Sequence, residues 1–242
     1  MHRSASRLTR LLACAAVPVM LVVAGCSSGS DSDGDKKSAS PSSGAPDSPD
    51  AKPSATVAPA KFAKLPTSCK TISAKTVGLL VPETKVKAGT VGKSSDLANR
   101  TSCSWNGLDD NGVKGSQYRW LDVSLLRYDS EQALGLSGEQ RAEDSYVKEI
   151  AKAKASEGAK KVRTSPAAGV GDVATAVVYD LTKTGEDFNY ATIVTRTGNV
   201  VITLTYNGTG YAGGNAPADA ELMKGAVTAA KEAVASVAVA NP

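Results

Sequence analysis

The groups that could do chemistry in this 242-residue chain are few, and what is missing narrows the choice as much as what is present. Its single histidine is His2, near the start of the chain. No later imidazole can act as a general base or ligand, which removes Ser-His-Asp and Cys-His catalysis and every histidine-bearing metal site. Acid–base or nucleophilic work would have to fall to a Ser-Lys pair, two carboxylates or a tyrosine. Ser145-Tyr-Val-Lys148 has Ser-x-x-Lys spacing, but it lies where the periodicity is helical and a solvated helix face accounts for both residues. Asp172, Glu186 and Asp187 are the carboxylate candidates, and nothing in their spacing brings them together. Asp109-Asp110-Asn111-Gly112 raises the question of calcium. It lacks the alternating ligands and closing glutamate of a calcium loop, so it reads as a turn. No catalytic residue, metal or cofactor is assigned on these grounds.

One thiol stands in a different context. Cys26 closes the run Leu-Val-Val-Ala-Gly-Cys, residues 21–26. Upstream, Arg3, Arg7 and Arg10 form a basic segment free of acidic residues, and residues 11–24 form an apolar core of export-signal length. That core is shorter than the roughly 20 residues a membrane-spanning helix needs. The small pair Ala24-Gly25 before Cys26 resembles the lipobox of bacterial lipoproteins, whose cysteine takes a diacylglycerol before the signal is cleaved. The resemblance implies a lipoprotein lipidated at Cys26 and anchored on the extracytoplasmic face of the cell membrane. Two acyl chains hold stably where one does not. An ordinary cleavable signal with an incidental cysteine is the alternative. Cleavage would remove three of the arginines behind the formal charge of +4 and most of the basis for a pI near 8.8. No basic cluster remains to suggest a nucleic-acid partner.

Of the four cysteines, Cys14 leaves with the signal and Cys26 is the lipidation site. Cys69 and Cys103 remain. In an oxidising compartment they are expected to pair, with roughly 3–4 kcal/mol of loop-closure stabilisation. A catalytic or metal-binding thiol is the competing reading.

Residues 26–60 are Ser/Pro/Ala/Gly-rich with almost no large apolar side chains, too few to offset the entropy of ordering. They read as a disordered tether of composition suited to O-glycosylation, spanning roughly 30 Å. Residues 61–242 carry enough apolar residues for one globular domain. A short helix is expected over 73–80, then a loop over 83–99 that could hold a strand at 85–87. Strands are expected around Cys103-Ser-Trp105 and around Leu121, Val123 and Leu125, joined as a hairpin. In the first, Cys103 and Trp105 share a face while Ser102, Ser104 and Asn106 point the other way. In the second, Asp122 and Ser124 alternate with the apolar positions.

Over 130–156 Ala142, Tyr146, Ile150 and Ala153 recur at helical spacing. Gly135 and Gly138 are expected to split a short helix from a longer one that Gly158 stops. Strands follow at 161–164 and 174–182, then a hairpin of 189–197 with 200–206 turning at Gly198-Asn199. A glycine-rich loop over 207–217 surrounds Tyr211 without the Gly-Lys-Ser/Thr ending of a phosphate loop. An alanine-rich helix over 217–239 closes the chain.

Together the lipobox, the tether, Cys69-x-x-Ile72, Cys103-Ser-Trp105, Gly169-Val-Gly-Asp172, Arg196-x-Gly-Asn-Val-Val201 and the alanine-rich last helix resemble a group of secreted actinomycete lipoproteins. These carry a Cys-Ser-Trp domain of unknown function. That group is similar in turn to the sandwich fold of the photosystem accessory protein PsbP and the Ran-binding protein Mog. The fold class expected is α+β, a mostly antiparallel sheet packed against helices as an αβα sandwich with one disulfide. Neither resemblance supplies catalytic residues. The function expected is non-catalytic binding or adaptation at the cell envelope, toward a small ligand, a wall component or an envelope protein. Tyr206 and Tyr211 are the candidate ligand contacts, since tyrosine offers area and a polar tip at low entropic cost. An envelope hydrolase with a Ser/Lys or carboxylate site is the alternative.

Overall fold

The structure is a computed structural model that describes residues 56–242. The expected export signal, Cys26 and the expected tether as far as residue 55 lie outside the described residues. Seven strands form one sheet: β1 (Thr90–Val91), β2 (Arg100–Asp109), β3 (Ser116–Arg127), β4 (Lys160–Pro166), β5 (Val173–Lys183), β6 (Glu186–Thr197) and β7 (Val200–Tyr211). Their order is β1-β2-β3-β7-β6-β5-β4, and every neighbouring pair is antiparallel. Among the described residues three α-helices accompany the sheet: α1 (Ala74–Leu80), α2 (Gly138–Lys154) and α3 (Asp219–Ala240). The α+β class read from the sequence is the one observed. Among the described residues no helix is long and apolar enough to cross a membrane.

Alternation along the central strands splits the sheet into two unlike faces. Cys103 and Trp105 of β2, Leu121, Val123 and Leu125 of β3, Ala191 and Ile193 of β6, and Val200, Ile202, Leu204 and Tyr206 of β7 share one face. Helix α3 lies against it through Leu222, Ala226, Ala229, Ala230, Ala233 and Val237, each fully buried. The alanines leave so little side chain that helix and sheet approach closely. Gly225 marks the tightest point: a Cβ there would stand 2.8 Å from Leu80 and 2.9 Å from the Tyr206 ring. Helix α1 joins the same core through Val77, and its first turn is held by α3. The backbone N–H of Ser73 donates to Glu232 at 2.6 Å, and the Thr76 hydroxyl donates to the same carboxylate.

The Cys69–Cys103 disulfide forms as expected, with Cα atoms 5.1 Å apart, and fastens the segment before α1 to β2. Gly89 passes directly over it with φ +80°, where a Cβ would lie 2.4 Å from the Cys103 sulfur. Only glycine meets both demands.

The second face is covered in part. Helix α2 packs Ala142 and Tyr146 on Val194 and Val201, and Ile150 and Ala153 beside Tyr179 and Tyr190. It therefore covers the β5-β6-β7 half and leaves β2 and β3 open. Its start is set by Ser137, whose hydroxyl accepts from the N–H of Gln140 while the Gln140 side chain accepts from the N–H of Ser137.

Four local expectations change. Residues 85–87 form no strand; the short strand is Thr90–Val91, and Thr84 alone bridges to Gly107. Gly138 does not break a helix but begins one, because the capping box precedes it. Gly158 lies beyond the helix end, which is capped at Ala155, and takes φ +76° in the turn that follows. Residues 207–211 are strand, not loop, because β3 pairs with β7 in unbroken register from Arg127↔Val200 to Ser116↔Tyr211.

Candidate functional site

The uncovered β2-β3 part of the second face, with the adjoining stretch of β7 and β6, is the floor of a groove of about 390 Å³, walled by the C-terminal half of α2. Its floor carries Ser102 from β2, Asp122 and Ser124 from β3, Thr203 and Thr205 from β7, and Thr192 from β6. Strand register makes this a continuous polar band. Asp122 stands beside Ser104 on one side and Thr205 on the other, Ser124 beside Ser102 and Thr203, and Thr205 beside Thr192. The wall contributes Glu149, Lys152, Ala153 and Ser156, with Tyr179 behind them and Arg100 and Leu126 at the rim.

Some of these groups are already paired. The hydroxyls of Thr192 and Thr205 lie 3.1 Å apart, Thr203 donates to Glu149 at 3.5 Å, and Lys152 faces Glu149 at 3.7 Å. Ser156 donates to the Ala153 carbonyl at 3.0 Å. Asp122 differs. Among the described residues its carboxylate has neither a side-chain hydrogen bond nor an ion pair, and burial alone pushes its pKa up to about 6. A carboxylate withdrawn from water without a partner destabilises the fold whenever it is ionised. The groove thus holds a charge that the described side chains leave unanswered.

The residues singled out from the sequence are placed elsewhere. Ser145 is buried and accepts a hydrogen bond from the Tyr128 hydroxyl at 2.8 Å, while Lys148 is exposed, so the Ser-x-x-Lys spacing makes no pair. Asp172 accepts from the N–H of Gly198 at 2.6 Å and from Arg196 at 3.3 Å, which fixes the hairpin turn. Asp187 accepts from Thr182 at 2.7 Å. Glu186 and Asp187 begin β6 and Asp172 sits at its far end, so a twelve-residue strand separates these candidates. Asp110 accepts from the N–H of Gly112 and the hydroxyl of Ser116, bonds that hold its pKa below the usual carboxylate range and make it the lock of a turn.

Tyr206 is buried, and its hydroxyl donates to the Leu80 carbonyl at 2.7 Å. Its burial raises the phenol pKa, and its ring lines a cavity of about 280 Å³ between α1 and α3. Tyr211 is half-buried at the end of β7, an odd number of residues away along the strand, so alternation turns it toward the opposite face. The two tyrosines do not form one surface. The segment after Tyr211 is folded back on the sheet: Gly214 donates to the Tyr211 carbonyl at 2.9 Å and Gln117 to that of Asn215 at 3.0 Å.

Asp122 and Ser124 were visible in the sequence only as the polar half of an alternating strand. Nothing local distinguishes a polar residue facing bulk water from one facing a groove walled by a helix two strands away.

No protein-family model matches the chain, and no curated protein matches it. Among solved structures, the crystal structure of LpqN, described as involved in cell envelope biogenesis of Mycobacterium tuberculosis, aligns with 61% of this chain and 82% of its own. The aligned residues are 15% identical and the TM-score is 0.27, a likeness too loose to carry a role from one protein to the other.

Proposed function

We propose that this chain is a lipid-anchored extracytoplasmic lipoprotein whose domain binds a small polar ligand in the groove over β2, β3 and β7 without turning it over. The observation that carries this reading is the unpartnered Asp122 carboxylate on an open, hydroxyl-rich floor. Preorganised polar groups in a concavity are what a recognition site requires. The ligand would be a free small molecule, a wall component or an exposed group of an envelope protein. Anchoring follows from the resemblance of residues 21–26 to a lipobox, and no cofactor is needed.

Two experiments test it. Protein incubated with envelope extract should retain a ligand identifiable by mass spectrometry, and Asp122→Asn should reduce retention at least tenfold. Equal retention by the variant moves the site off this groove. Labelling with a fatty-acid probe should mark the wild type and not Cys26→Ala; a labelled, membrane-bound alanine variant refutes the anchor.

The groove also favours one alternative. A carboxyl that titrates at about 6 is suited to proton transfer near neutral pH, as a hydrolase would use it. Steady turnover of an ester or glycoside, abolished in Asp122→Asn, would establish that reading and displace the first.

A further inference from the structure

We infer that the ligand of the sheet-face groove is cationic, and that a primary ammonium group seats on the Asp122 carboxylate with the hydroxyls of Ser124 and Thr205 beside it. This deepens the binding reading above and rests on it.

Charge decides which ligand the floor can hold. A negative group enclosed on the floor of a groove seeks an opposite charge, and here each neighbouring element fails to provide one. Strand β2 offers Arg100, which stands at the rim and forms no ion pair with Asp122. Helix α2 offers Lys152, but its side chain is 77% exposed and leans toward Glu149. Strand β5 contributes Tyr179, and β6 and β7 contribute only threonines. Among the described residues no cation brings the Asp122 pKa back down, so burial acts alone.

Three ligand classes can be compared on this floor. An anion would find Arg100 and Lys152 only at the rim and wall, the second facing Glu149, and on the floor it would meet the Asp122 carboxylate and be repelled. A neutral polyol would hydrogen-bond to the hydroxyls yet leave the carboxylate without a counter-charge. A primary ammonium supplies the charge and has three N–H donors. The carboxylate takes one, and Ser124 and Thr205 offer hydroxyl oxygens as acceptors on either flank. Because the groove also holds Leu126 and Ala153, the methylene stem behind such an ammonium has apolar surface to lie on.

Binding of an ammonium here should depend on pH with a definite sign. Protonating Asp122 removes the charge the ligand binds. With its pKa near 6, affinity should therefore fall about tenfold between pH 7 and pH 5.

The test uses three matched probes, pentane-1,5-diamine, pentane-1,5-diol and glutarate, titrated into the protein as expressed and followed by amide chemical shifts. The diamine should shift the Asp122, Ser124 and Thr205 resonances and bind at least tenfold more tightly than the diol, with glutarate silent. Asp122→Asn should abolish diamine binding without lowering the melting temperature, and Asp122→Glu should recover part of it. Diol binding equal to diamine, or diamine binding unchanged in Asp122→Asn, overturns the cationic inference while leaving the groove as a binding site. Silence of all three probes overturns it too. Loss of ligand retention from extract, in contrast, is what the broader binding reading stands or falls on.

Discussion

The two faces of the sheet are built from the same strands and ask opposite things of their side chains. Against α3 the central positions are sealed and, apart from the fully buried Thr195, apolar, from Trp105 and Leu121 through Ile193 to Leu204. Against α2, the parts of β5, β6 and β7 under the helix are apolar, while β2 and β3 present serines and one carboxylate, and the adjoining stretch of β7 and β6 threonines, to an open groove. Packing of the first kind is bought with burial and tolerates no change of volume. The second face contributes less to stability, and that is where a chain can keep an unpaired charge. The contrast teaches that the sheet separates holding the fold together from presenting chemistry, one residue apart along each strand.

Mutations can break that contrast, and the largest effect belongs to the sealed face. Leu204→Ala removes a fully buried side chain between α3 and the sheet and should cost about 2–5 kcal/mol, read from chemical denaturation. If it costs no more than a serine-to-alanine change on the groove, the division of labour is wrong.

Replacing Cys69 and Cys103 together by alanine should cost about 2–4 kcal/mol, measured the same way. The sheet should survive, because α3 and the β6-β7 hairpin lie outside the loop the bridge closes. Non-reducing peptide mapping should recover the linked pair.

Asp122 sharpens the contrast with an opposite sign. Its folded pKa, about 6, lies above the ordinary 3.8. The folded state thus binds the proton more tightly, so the contribution favours folding fully below 3.8 and is lost as pH rises through 6. Asp122→Asn should therefore raise stability at pH 7 by about 1–2 kcal/mol and flatten the stability profile between pH 4 and pH 6. A destabilised variant would mean that the carboxylate has a structural partner after all.

The smallest effect is expected at Ser124→Ala, within about 0.5 kcal/mol, since its hydroxyl makes no hydrogen bond among the described residues. A large loss would place Ser124 in the structural class and remove it from the groove's free surface.

The elements of this fold were legible where one signal suffices. Two-residue alternation exposed β3 through Leu121, Val123 and Leu125, and helical spacing exposed α2 through Ala142, Tyr146 and Ile150. The Gly198-Asn199 pair located the β6-β7 turn. Strand ends were less legible: β7 continues to Tyr211 because β3, some eighty residues earlier, pairs with it, and partners so distant leave no local mark. The site was the least legible part. It is made by register among β2, β3, β7 and β6 and by how far α2 reaches across them. Tyr206, attractive as an aromatic beside glycines, is held in the core by a bond to Leu80 that only the packing of α1 creates.

Asn199 does more than turn a hairpin. Fully buried, it accepts from the N–H of Phe62 at 2.8 Å and donates to the carbonyls of Phe62 and Tyr128 at 2.9 and 2.8 Å. Two residues on, Asn241 grips the same segment from the other end of the chain, accepting from the N–H groups of Ala63 and Lys64 and donating to the Lys64 carbonyl. These two amides act as cleats. Tension arriving from before Val57 would load that residue's two bonds to Gln132 first and these cleats next, so a pulled domain would yield in steps along residues 57–64 before any strand was strained.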